Sequence, residues 1–332
     1  MPMRFDGFVG NDEAKRMLSA CVDGGRFPHA LLIEGPEGSG RRTLARLMAR
    51  AAVCSAPAGE KPCGVCAACV KAAAGGHPDI VEVGGDGGAR SFHIDAVREI
   101  RDNVYILPNE APRRAALLFG ADAMTEQAQN ALLKILEEPP RHALFILTCE
   151  NRAQMLSTVQ SRTLCVTLSG VPEQAAAEVL RARLPHRDEE EIRHAAALFG
   201  GVIGQALRGL EDGSFRRVLE LAPAMAAAVA APAELDLLRL TGQLEKDKAV
   251  TDAVLSGMLL IFRDALVRRC GGPGTLSVSP ETAAVLARAL TRRQLAALID
   301  AVRGLQRARL RNVNQTLFLT LLCARLRAAA GK

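Results

Sequence analysis

The chain has 332 residues, 49% of them hydrophobic, enough for two or three domains with cores of their own. No uninterrupted apolar run approaches the roughly 20 residues of a membrane span, and Met1-Pro2-Met3-Arg4-Phe5-Asp6 is not a basic segment leading into an apolar one. These features argue against a membrane or secreted protein, giving the expectation of a cytoplasmic home with reduced thiols. A net charge of +6 suits a partner that carries phosphates, although a low-Lys, Arg- and Ala-rich composition gives the same sign. With no Trp and one Tyr, stacking on exposed bases is a poor expectation.

Residues 11 to 22 carry Ala14, Met17, Leu18 and Cys21 at helical spacing, and Gly24-Gly25 and Pro28 end the pattern. The apolar run Ala30-Leu31-Leu32-Ile33 then leads into Gly35-Pro36-Glu37-Gly38-Ser39-Gly40-Arg41-Arg42-Thr43 and a helical pattern from Leu44. Strand, glycine-rich turn and helix form the frame of a phosphate-binding P-loop, G-x-x-x-x-G-K-[ST]. Gly35 and Gly40 fit that frame, with Gly38 between them in the loop, but Arg41 stands at the lysine position and Arg42 at the hydroxyl position. A guanidinium is wider than an ammonium, and Arg42 has no lone pair for Mg²⁺. Thr43 is turned by about 100° to another helix face. The loop therefore reads as a nucleotide site without its catalytic groups, or else as an ordinary glycine turn between strand and helix.

Cys54, Cys63, Cys66 and Cys69 follow as C-x₈-C-x₂-C-x₂-C. Two-residue gaps let thiolates converge on one tetrahedral ion, so a structural zinc module over residues 54 to 69 is expected. An iron–sulfur cluster and unligated thiols are the alternatives; a ferredoxin-type run would add a Cys and a Pro shortly after Cys69, and neither is present. The other cysteines, Cys21, Cys149, Cys165, Cys270 and Cys323, lie in apolar stretches and read as core.

Further strands are expected over Ile80–Val83, Ala115–Phe119, Leu144–Leu147 and 164–168, with helices over Ile94–Asn103 and 126–138, the latter capped by Thr125 and stopped by Pro139-Pro140. Alternating strands and helices imply a parallel sheet with helices on both faces and ligands at the strands' carboxyl ends. A P-loop ATPase carries Asp-Glu at the end of the strand that corresponds to Ala115–Phe119. Here Phe119 and Gly120 occupy the place, and Asp122 lies beyond it on the approach to a helix. After about Gly170 strand signals vanish. Short helical patterns broken at Pro185 and Gly200-Gly201 suggest a small lid over 169–210, and helix-rich sequence with a loop at Gly271–Gly274 suggests an all-helical domain over 211–332.

The P-loop frame, the four-cysteine insertion, His77-Pro78-Asp79, Ala121–Met124, Asn130–Pro140 and Ser161-Arg162 together resemble the clamp-loader branch of the AAA+ family. Gly204–Leu207 and Asn312–Leu322 are similar more loosely. The resemblance implies an α/β AAA+ domain over 1–168, a helical lid and an all-α collar, in one wedge of a heteropentamer. Its partners would be ATPase subunits of gamma/tau type and delta type, a ring-shaped sliding clamp and primer–template DNA, with no membrane. It also implies that Arg162, with Ser161 beside it, acts in trans as an arginine finger in a neighbour's ATP site, although Thr163 replaces the family's Cys. The lid arginine of hydrolysing relatives is replaced by Gly204. ATP with Mg²⁺ is expected to be absent from this chain's own loop. Two other readings stay open: an ATPase with an unorthodox Arg-Arg loop, and a zinc-dependent nucleic-acid-binding protein.

Overall fold

The computed structural model describes residues 3–24, 27–57, 60–84, 97, 100, 103–244, 248–273, 277–309 and 314–332. The chain divides into two compact units, Met1–Val171 and Pro172–Lys332.

The first unit is built on five parallel strands: β1 (Ala30–Glu34), β2 (Ile80–Gly84), β3 (Arg114–Phe119), β4 (Ala143–Cys149) and β5 (Leu164–Thr167). Their order is β2-β3-β4-β1-β5. Because side chains alternate along a strand, neighbouring residues feed opposite layers. Leu31, Ile33, Leu117 and Ile146 join a core with helices α1 (Asp12–Asp23) and α2 (Arg41–Val53). Leu32, Leu118, Phe145 and Leu147 join a second core with helix α4 (Glu126–Glu137) and Val159 of the short helix α5 (Ser157–Gln160). Strands β3 and β4 are buried along their whole length, which is why they read as continuous apolar runs rather than alternating ones. Helix α3 (Ala67–Ala73) packs against α2. The helix expected over Ile94–Asn103 falls largely outside the described residues, although Val97, Ile100 and Val104 are buried in the second core.

At the start of β2, Asp79 is fully buried and holds in place the segment that leads into β3. Its carboxylate accepts the amides of Asn109 at 2.6 Å and of Glu110 and Ala111 at 3.0 Å. Burial alone would raise its pKa, but these amides outweigh burial and hold the carboxyl below its usual value. A depressed acid contributes stability above its unfolded pKa and loses it as pH falls through the folded one. Asp79→Ala is expected to lower the stability of this unit by about 3 kcal/mol and to flatten its loss of stability below about pH 4, as read by urea titration across pH.

The second unit is helical throughout its described elements. Helix α6 (Glu173–Arg183), α7 (Glu189–Leu198, capped by Asp188) and α8 (Ile203–Asp212) form one pack. The breaks fall where Pro185 and the paired positive-φ glycines Gly200 and Gly201 stand. Helix α9 (Ser214–Ala230), α10 (Leu235–Gly242), α11 (Lys248–Arg269), α12 (Pro280–Ala289), α13 (Arg292–Arg309) and α14 (Gln315–Ala330) complete the unit. Polar ties cross this pack: Arg309 meets Asp252 through Nε at 2.7 Å and Nη2 at 3.1 Å, and Arg327 donates to the Ala231 and Pro232 carbonyls just past α9. No helix among the described residues is long and apolar enough to cross a membrane.

Candidate functional site

Interior strand β1 lies between β4 and β5, where the order of the sheet reverses, so the loop after it opens at the carboxyl ends of the strands. Gly40 takes a φ of 92° as the residue that leads into α2, and a Cβ there would lie 2.9 Å from the ring of Phe8. Its carbonyl accepts the Leu44 amide at 2.8 Å and so starts the helix. Gly38 also has positive φ, 82°.

The side chains placed on that frame differ from those of a hydrolase. Arg41 is mostly buried; its Nη2 lies 3.3 Å from Glu150 Oε1, just beyond β4, and its Nη1 is buried with no hydrogen-bond partner among the described residues. The Glu150 amide in turn donates to Asp122 Oδ2 at 2.8 Å, which places Asp122 as a turn residue past β3. Arg42 turns toward β3 instead, with its guanidinium 5.5 Å from the centre of the Phe119 ring. Arg46, one turn on, lies 5.3 Å from the same ring and is clamped through Nε and Nη2 to the two carboxylate oxygens of Glu82 at 2.9 and 2.7 Å. Thr43 is exposed on another face. Gly120 stands where the second acid would, its amide bonded to Thr148 Oγ1 at 3.0 Å.

Carboxylates also gather around the loop. The buried Cys149 thiol is pushed up to about 12, first by burial and then by the charges of Asp122 and Glu34. Glu34 accepts the Arg152 amide at 3.0 Å and the Thr167 hydroxyl at 3.2 Å. Arg152 Nε lies 3.6 Å from Glu34 and Arg41 pairs with Glu150, so these carboxylates are met by cations of the chain itself.

The four cysteines converge. Their Sγ atoms all lie within 4.8 Å of one another, with Cys63–Cys69 and Cys54–Cys66 both at 4.0 Å. A tetrahedral ion with bonds of about 2.3 Å needs sulfurs about 3.8 Å apart, whereas a disulfide needs about 2.05 Å. The set could therefore hold a metal ion, and its donors are those zinc prefers. The amides of Cys63, Cys66 and Cys69 point at Cys54, Cys63 and Cys66 sulfurs, each at 3.4 Å, which steadies thiolates. Without a metal, burial pushes Cys54 up to about 12, while at Cys66 burial is outweighed by the Cys69 and Ser55 amides and the thiol falls to about 6. Of the cysteines expected in the core, Cys149 and Cys323 are buried, Cys21 and Cys165 are half-buried, and Cys270 is exposed. Cys270 follows the last residue of α11, past the apolar stripe that suggested burial.

Arg162 lies past α5, far in sequence from the loop. Its Nη1 donates to the Thr158 carbonyl at 2.8 Å and approaches Ser161 Oγ at 3.4 Å, and its Nη2 is 2.6 Å from Glu137 Oε1. Ser161 Oγ donates to the same Thr158 carbonyl at 3.1 Å. The sequence reading missed Glu137 and the buried Gln129. Gln129 accepts the Leu156 amide at 2.7 Å and donates to the Met124 and Gln154 carbonyls, tying α4 to the segment that leads into α5. A glutamine on the apolar stripe Ala128, Leu132, Ile135 was the available signal.

Residues 10–172 match the family described as DNA polymerase III, delta subunit. DNA polymerase III subunit delta' of Escherichia coli K12 is 30% identical over 312 residues, covering 93% of this chain and 92% of that protein. Subunit gamma/tau of Mycobacterium tuberculosis is 38% identical over 164 residues, 49% of this chain, and the match spans only 28% of that relative's length. Among solved structures, a gamma subunit-related protein of Thermotoga maritima aligns at 19% identity over 91% of this chain and 94% of its own, with a TM-score of 0.35. A Thermotoga maritima RuvB mutant aligns at 17% over 86% and 90%, with a TM-score of 0.44. Both scores are too low to bear on the site. On the near-complete alignment with the Escherichia coli subunit, this chain belongs to the delta' family of DNA polymerase III clamp-loader subunits.

Proposed function

We propose that this chain is a non-hydrolysing stator of the bacterial replicative clamp loader, closing a neighbouring subunit's ATP site with Arg162 while its own loop does no chemistry. The observation that carries this reading is the Arg42–Phe119 stack, at 5.5 Å. A P-loop ATPase brings its loop hydroxyl and strand-end acid together there on Mg²⁺. A cation and an aromatic ring offer the metal no oxygen ligand, and the added positive charge repels it.

In this reading residues 1–168 form the AAA+ domain, 169–210 a lid and 211–332 a collar that meets other loader subunits in the cytoplasm. Exposed Leu235 and Leu238 on α10 and Leu317 on α14 support a helical surface that neighbours cover. The gamma/tau-type and delta-type subunits, the sliding clamp and primer–template DNA are the proposed partners. Zinc on Cys54, Cys63, Cys66 and Cys69 is proposed as a structural ion, since four protein ligands leave no open position.

Equilibrium titration of the purified, zinc-loaded chain with ATP and Mg²⁺ tests the loop. No turnover and no Mg²⁺-dependent binding are expected, with a hydrolysing loader as positive control; turnover by the isolated chain would overturn the proposal. The unpartnered Nη1 of Arg41 favours one variant, a loop that holds a nucleotide as a strut. Saturable binding without hydrolysis, lost in Arg41→Ala, would select it.

A further inference from the structure

We infer that Glu137 is a positioning residue for Arg162, which rests on the reading of Arg162 as a finger acting in trans. Helix α4 ends at Glu137, immediately before Glu138 and Pro139-Pro140. Carbonyls in a last helical turn have no partners within the helix and leave its end partly negative, so a carboxylate there sits in an unfavourable field unless a cation meets it. Arg162 is that cation, with Nη2 at 2.6 Å from Glu137 Oε1.

The guanidinium is thus gripped from two elements. The Thr158 carbonyl and Ser161 Oγ hold Nη1 on its own side, and Glu137 holds Nη2 from α4. Gln129 fixes the distance between those elements by bonding α4 to Leu156 and Gln154. The Arg162 side chain remains 33% exposed, so the grip leaves it within reach of solvent, from which a partner's phosphate would arrive. An unrestrained arginine would lose its rotamer freedom only on meeting that phosphate. Here the loss is taken in advance, during folding.

The test is a loader reconstituted with the full-length chain, comparing Glu137→Ala, Glu137→Gln, Arg162→Ala and the double variant. At the single partner site that Arg162 serves, Glu137→Ala is expected to lower kcat about tenfold with little change in KM. Glu137→Gln keeps an oxygen acceptor and should recover part of the loss. The double variant should be no slower than Arg162→Ala, because Glu137 acts only through the arginine. Thermal melting of the isolated variants should show little change, since the ion pair that is lost is partly exposed and the change also removes a carboxylate from a helix C-terminus. If Arg162→Ala slows the site and Glu137→Ala does not, the positioning role is wrong and the finger stands. A faster Glu137→Ala loader would mean that the carboxylate restrains the finger, which also overturns the inference. An Arg162→Ala loader at full rate would remove the finger itself.

Discussion

Replacing Arg162 with Ala is expected to cut ATP hydrolysis about 10³-fold at one site of the assembled loader and to leave the remaining sites near their normal rates. The size follows from what a guanidinium does in a closed, water-poor site, where it offsets charge that develops as the phosphoryl group transfers. The restriction to one site follows from geometry, because one chain presents one such arginine to one neighbour. Assemblies in which a single ATPase subunit keeps its P-loop lysine would isolate each site in turn. Arg162→Lys should restore little, since an ammonium keeps the charge but not the planar fork. Uniform turnover across all sites would dispose of the finger, whereas uniform slowing would point to damaged assembly instead.

Removing the proposed zinc should have the largest effect on structure. Zinc-finger peptides bind zinc with about 10–16 kcal/mol of apparent free energy, and a module without its ion has little core to fall back on. Cys54 stands at the end of α2, the Arg4 amide donates to the Lys61 carbonyl at 3.0 Å, and Lys71 on α3 pairs with Glu110 at 2.7 Å. Chelation, or Cys66→Ala, is therefore expected to abolish amide protection over residues 60–76 and to weaken it at the end of α2 and around Glu110. Hydrogen exchange with and without chelator reads this directly, alongside metal analysis expected to return one zinc per chain. Full protection in a metal-free chain, or iron in place of zinc, would overturn the assignment.

Much of unit one was legible because its signals are local. The run Ala30–Ile33 followed by Gly35, Gly38 and Gly40 dictates strand, turn and helix within a short span, and the cysteine spacing declares its own geometry. The substitutions Arg41, Arg42, Phe119 and Gly120 could likewise be read one position at a time. What they touch could not. Glu150 opposite Arg41, Phe119 opposite Arg42 and Glu137 opposite Arg162 are pairings across 109, 77 and 25 residues of sequence, created only when the sheet brings the elements together. Asp79 could be singled out as part of a motif, but the three amides it accepts lie some 30 residues on, in a segment with no pattern of its own. Cys270 misled because apolar neighbours in sequence do not guarantee burial once a helix has ended.

The Arg42–Phe119 stack also bears on how such a loop could change over generations. Restoring a hydroxyl with Arg42→Thr would leave Phe119 where a metal needs an acid. Restoring the acid with Phe119→Asp would set a carboxylate against Arg42 and Arg46, which now both lie over that ring. It would form an ion pair with them before it could bind Mg²⁺. Neither step alone rebuilds a metal site, and Arg41 at the lysine position and Gly120 at the second acid position would still have to change as well. Under the proposed reading of an inert loop, the Arg42–Phe119 contact makes the way back to hydrolysis a matter of several joint changes rather than of single ones.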